Sequence, residues 1–182
     1  AVNLVLDILS SLQGFGFTEA YGINAHGDIE QNILFMSAFK EAVDRFGIKA
    51  RYCFRSEVLH HYGLTGDEEH ICPISPQSIT VSESKAKDIH AGDIETAIIS
   101  RYYPSRADTE TAKRLPGVSI EPEREMEWLS GGKTKELSGM GYMGDPANYD
   151  SVRIEEHIAD ITDRYVRAIL KKRGSQGKAH EY

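Results

Sequence analysis

Between Phe17 and Phe54 the chain alternates strand, helix and strand, with only short turns between them. "FTEAYGIN", Phe17 to Asn24, reads as a short buried strand. Ile33, Leu34, Phe35, Ala38, Phe39, Ala42 and Val43 then form one apolar face of a helix from Ile29 to Phe46, which Gly47 stops. "IKARYCF" alternates Ile48, Ala50, Tyr52 and Phe54 and reads as a second strand. Two strands joined through a helix lie side by side and parallel, with the helix on one face. The expectation is an α/β fold built on a parallel sheet.

Elsewhere the pattern is more uneven. Val2, Val5, Leu6, Leu9 and Leu12 fall at helical spacing, and Gly14 or Gly16 suits the end of that helix. The chain opens on Ala1 inside this pattern, so it reads as part of something longer. From Arg55 to Lys87 the periodicity fades, and "HHYGLTGDEEHICPISPQS" reads as an excursion over the surface. "IETAIISRYYP" resumes as a helix ended by Pro104. Residues 105–150 are rich in Gly, Pro and charge and read as an irregular arm with one short helical turn. Ile154, Ile158, Ile161, Tyr165 and Ile169 make a stripe on a packed helix from Ser151 to Lys172. Residues 1–172 are expected to form a single domain, and residues 173–182 a disordered tail.

Composition excludes some classes of function. With 182 residues, 40% of them hydrophobic, there is enough apolar material for a core. The formal charge of −7 disfavours nucleic acid as a partner. No apolar run is long enough to span a membrane. Cys53 and Cys72 form neither a disulfide framework nor a CxxC pair. Two plain buried thiols in a reducing cytoplasm are expected.

Two clusters carry residues suited to chemistry. His26 and Asp28 sit where the first strand ends and its helix begins, and open α/β sheets bind ligands at that edge. Imidazole and carboxylate two residues apart can share a metal ion; equally, Asp28 can cap the helix and His26 be a loop residue. The second cluster, "DIHAGDIETA", places Asp88, His90, Asp93 and Glu95 around the small pair Ala91-Gly92. Gly92 lets backbone approach a ligand, and His90 suits proton transfer. Its plain reading is an acidic helix N-terminus, which the helix dipole favours. His60, His61, Glu68, Glu69 and His70 read as solvated loop residues.

Taken together, these motifs resemble the creatininase (creatinine amidohydrolase) family. "INAHGDIEQN" is similar to its histidine turn after a strand, "HAGDIETA" to its "HAGxxETS", and "GYMGDP" to the turn before its last helix. "LDILSSLQGFGF" is similar to the helix that precedes the first histidine turn. The resemblance implies a three-layer α/β/α fold with a mainly parallel central sheet. It also implies a centre of two divalent ions (zinc, manganese or iron) and hydrolysis of an amide C–N bond in a small cyclic amide or formamide. Residue by residue, it implies His26, Asp28 and Glu95 as metal ligands and His90 as the proton-transfer residue. Asp88, Gly27 and Gly92 are expected to line the substrate. A homo-oligomer, a hexamer in many members, is implied as well, with a small-molecule amide as partner.

The chain also departs from the family pattern. It has no counterpart of the "GSxExHGPHLPxxxD" segment, which carries three of the five expected ligands. Ala97 stands in place of the serine of "ETS", and Trp128, the one tryptophan, lies in the irregular arm. Too few donors then remain for two ions, so weak metal binding and slow hydrolysis are expected of this chain. The missing ligands would lie on an N-terminal segment or another chain. The alternative is a non-catalytic subunit that keeps the fold for assembly or binding.

Overall fold

The computed structural model describes residues 2–129 and 132–174. Its helices and strands are, in order, α1 (Val2–Gly14), β1 (Glu19–Ile23), α2 (Ile29–Phe46), β2 (Lys49–Arg55), β3 (Ile71–Ile74), α3 (Asp93–Tyr102), α4 (Thr109–Ala112), α5 (Pro122–Leu129), α6 (Thr134–Leu137) and α7 (Ile154–Gly174). Tight 3-10 turns lie at Ser56–Tyr62, Pro104–Arg106 and Pro146–Ser151. The elements gather into two units, one of residues 1–77 together with 161–182, the other of residues 78–160. The tail expected from residue 173 falls mostly outside the described residues, since α7 itself runs to Gly174.

In the first unit, β1, β2 and β3 form a parallel sheet in that order. Ala20 pairs with Ala50 and Gly22 with Tyr52 on one side of β2, and Cys53 pairs with Cys72 on the other. The side-chain alternation of β2 sends Ala50, Tyr52 and Phe54 to one face and Arg51 and Cys53 to the opposite face. On the first face, Leu6 and Leu9 of α1 and Met36, Ala38, Phe39 and Ala42 of α2 close over Ile48, Ala50, Tyr52 and Ile71. On the second, Tyr165, Ala168 and Ile169 of α7 pack against Cys53, Cys72 and Ile74. Helices on both faces of a parallel sheet make the three-layer α/β/α arrangement that the sequence implied.

The helix α2 explains why its layer is so regular. Asp28 caps its start, Oδ1 accepting from Gln31 N at 2.6 Å, and Gly47 ends it at φ 66° with its N–H donating to Val43 O. The tip of its Phe39 ring lies against β1 at Gly22. A Cβ there would stand 2.3 Å from Phe39 Cζ, so the strand needs glycine for close approach of the ring. Phe35 and Phe39 each have ring centroids 5.7 Å from that of Tyr52, which continues an aromatic row into Phe54 and Tyr62.

The surface excursion expected between Arg55 and Lys87 is corrected by β3. "ICPI" is a third parallel strand, and Ile71, Cys72 and Ile74 are buried. Leu59 on the 3-10 turn also enters the core. Glu68 is less a solvated loop residue than the clasp of a turn, its carboxylate accepting from Thr65 N at 2.9 Å and Gly66 N at 2.8 Å. Cys53 and Cys72 are free and buried, in keeping with the expected thiols.

The second unit has its own small core, in which Ala97, Ala112, Tyr149 and Val152 pack with Ile94 and Ile154. The arm expected to be irregular holds α4, α5 and α6. It is tied back by antiparallel bridges, His90 to Met143 and Val118 to Gly144. Among the described residues no helix is long and apolar enough to cross a membrane.

Candidate functional site

His26 and Asp28 lie at the carboxyl end of β1, in the first unit. Their loop is fixed from beneath. Asn32 is buried, and its Nδ2 donates to Asp28 O at 2.7 Å and His26 O at 3.3 Å. Its Oδ1 accepts from Tyr52 at 2.5 Å and from Asn24 Nδ2 at 3.2 Å, while Asn24 Oδ1 accepts from His26 N at 3.1 Å. Burial pushes the Tyr52 phenol up to about 12, so it stays a donor throughout the physiological range. The network holds the backbone of "AHGD" while the His26 side chain stays exposed. Asp28 spends one oxygen on its capping bond. The sequence reading missed Asn32; an asparagine buried in a helix face between apolar neighbours is the signal that could have found it.

Asp88, His90, Gly92 and Glu95 come together in the second unit. The peptide groups of His90 and Met143 exchange two hydrogen bonds, at 3.0 and 2.7 Å, which pin the His90 backbone. Ala91 then takes a left-handed φ of 49° and turns the chain into α3. Its N–H donates to Glu95 Oε2. His90 Nδ1 lies 3.8 Å from the same oxygen, an ion-pair distance when the imidazole carries a proton. Both side chains are about half exposed, so solvent and a small molecule can reach them.

Behind this turn the acids are packed tightly. Asp88 Oδ2 accepts from Ile94 N at 2.6 Å, satisfying a donor at the start of α3. Asp93 is fully buried and accepts from Ser82 Oγ. Burial pushes the Asp88 carboxyl up to about 7, against the Ile94 N–H and with help from its hydrogen bond to Asp93. A Cβ at Gly92 would stand 2.8 Å from the Asp88 carboxyl carbon, and one at Gly144 would stand 2.8 Å from Gly92 Cα. The two glycines therefore serve packing of this turn as well as any approach by a ligand.

Trp128, which the sequence reading left in the irregular arm, lies beside His90 with ring centroids 5.7 Å apart at 42°. Its Nε1 is buried with no hydrogen-bond partner among the described residues. Residues far apart in the chain make this contact, and no local pattern marks it. An open cavity of about 510 Å³ also borders this turn, lined by Ala91, Glu95, Ile99, Leu115 and Tyr142 among others.

His26 and Asp28 are a pair, one member of which caps a helix, and Glu95 is engaged with Ala91 N–H. Among the described residues no group of three or more His, Cys, Asp or Glu side chains is placed to hold a metal ion.

A family model described as "Creatininase: Creatinine amidohydrolase" matches residues 1–169. No curated protein and no solved structure matches the chain.

Proposed function

Since the chain belongs to the creatininase (creatinine amidohydrolase) family, we propose that it hydrolyses the amide C–N bond of a small cyclic amide or a formamide. The observation that carries this reading is His90, set between the Glu95 carboxylate at 3.8 Å and the Trp128 ring at 5.7 Å, half exposed and pinned through its backbone. In the proposed reaction His90 gives a proton to the leaving nitrogen. Glu95 stabilises the charged imidazole before that transfer. Trp128 offers a flat ring beside His90 for a planar amide. Asp88, Gly92 and, on the other turn, Gly27 are assigned to shaping the substrate site.

Family members generally work with divalent ions, and zinc, manganese or iron is the proposed requirement here, with His26, Asp28 and Glu95 as the donors on offer. That donor set is small, and the proposal is that this chain holds such ions weakly. A homo-oligomer in the cytoplasm, with a small molecule as partner, completes the reading. The test is turnover of a panel of small lactams, cyclic ureas and formamides with metal supplied in excess, with His90→Ala as control.

The absence of a three-donor cluster among the described residues favours one second reading, a non-catalytic subunit that keeps the fold for assembly or binding. Folded protein that turns over none of the panel at any metal concentration selects it.

A further inference from the structure

We propose that the cavity beside α3 binds the apolar arm of a substrate whose head is a positively charged nitrogen. The cavity measures about 510 Å³, within the range of small-molecule sites. Ile99, Leu115, Met140 and Tyr142 supply its apolar wall. Ile99 is 40% exposed and Met140 61%, so both are open to a ligand entering the cavity. Three hydroxyls of the wall are already engaged within the chain. The Tyr142 hydroxyl donates to Pro116 O at 2.5 Å, so the ring is what it contributes. Thr96 Oγ1 donates to Gly92 O at 2.5 Å, and Thr111 Oγ1 to Asp108 Oδ2 at 2.7 Å.

The charges on the wall have one sign. Glu95 and Asp108 line the cavity, and no Lys, Arg or His lines it among the described residues. Asp108 stays ionised, because the Thr111 N–H and hydroxyl hold its carboxyl below the usual carboxylate range. An apolar enclosure with acidic groups at its edge recognises an organic cation by charge, while its walls exclude an anion of the same size. Glu95 joins this cavity to His90, which places the scissile amide at the His90 end. That placement rests on the amidohydrolase reading; occupancy of the cavity does not.

The experiment is calorimetric titration of the full chain with butyl-, hexyl- and octylammonium, and with hexanoate and hexanol as controls. Binding should tighten about three- to fourfold per methylene, as burial of hydrocarbon requires, with hexanoate unbound and hexanol weaker than hexylammonium. Ile99→Trp, which fills the cavity from an exposed position, should weaken hexylammonium at least tenfold. Asp108→Asn keeps the helix cap and should weaken hexylammonium while leaving hexanol unchanged, so the test survives if Ile99→Trp fails to fold. Equal binding of hexanoate, or no dependence on chain length, overturns the proposal. So does sedimentation that shows a second copy of the chain on this face, released by Ile99→Trp. Turnover of N-(6-aminohexyl)formamide against formamide separates the two readings. Ammonium binding without hydrolysis of either keeps the cavity's assignment and removes the enzyme. Equal hydrolysis of both without ammonium binding keeps the enzyme and removes the cavity's assignment.

Discussion

His90 Nδ1 stands 3.8 Å from Glu95 Oε2, across the left-handed turn that opens α3. In the proposed reaction Glu95 would act through the imidazole and through the turn. Replacing His90 by Ala should lower kcat by about 10²- to 10⁴-fold, the usual worth of a positioned proton donor. Because the side chain is half exposed, the melting temperature should hardly move. Glu95→Gln keeps an acceptor for Ala91 N–H but not the charge. It should lower kcat less than His90→Ala does, since the imidazole that gives the proton is kept.

Asn32 joins Tyr52 to the His26 turn, so its loss should be felt in stability. Asn32→Leu leaves the Tyr52 hydroxyl without its buried acceptor, while the Asp28 carbonyl keeps the backbone N–H of residue 32. A cost of about 1–3 kcal/mol is expected for the one orphaned group, read from urea unfolding. Asn32→Leu combined with Tyr52→Phe should recover part of it, since the orphaned hydroxyl is then removed.

Gly22→Ala tests the contact between β1 and α2. The added Cβ meets the Phe39 ring at 2.3 Å, and overpacking of this kind costs about 1–3 kcal/mol. Phe39→Leu in the same chain should make the substitution at Gly22 nearly neutral. Equal costs in both backgrounds would separate the two positions.

Asp88 gives a pH dependence whose sign is fixed. The folded chain keeps the Asp88 proton up to about 7, whereas an unfolded aspartate loses it near 3.8. In that window the folded state binds more protons, so this contribution to stability is fully present below the lower value and is lost as pH rises through the upper one. The melting temperature of the wild type should fall between pH 5 and 8 relative to Asp88→Asn, whose amide donates to Asp93 without titrating. Parallel curves for the two proteins would remove Asp88 as the cause.

Much of the first unit was legible in the sequence. α2 runs from Ile29 to Phe46 as its apolar face and Gly47 require, and β1 and β2 pair in parallel as a crossover helix requires. β3 escaped notice because four residues carry no visible period, and Pro73 argues against a strand. Its place comes from the partner strand, through Cys53 opposite Cys72. Arg51 shows the same limit: it reads as a break in an apolar strand but is fully buried, its Nη1 donating to Tyr21 Oη at 2.9 Å. In the second unit, Met143 on His90 and Trp128 beside it are pairings across tens of residues. No periodicity of 2 or 3.6 residues encodes them. "HAGDIETA" marked where the candidate chemistry lies, but not what would stand against it.

The most direct test of the account is turnover of the amide and formamide panel by the dialysed chain, with and without added zinc or manganese, for the wild type and His90→Ala. The account predicts no turnover after dialysis, slow turnover of at least one lactam or formamide when metal is added in excess, and loss of at least 10²-fold in His90→Ala. Equal turnover by His90→Ala would contradict it, as would two ions retained per chain through dialysis.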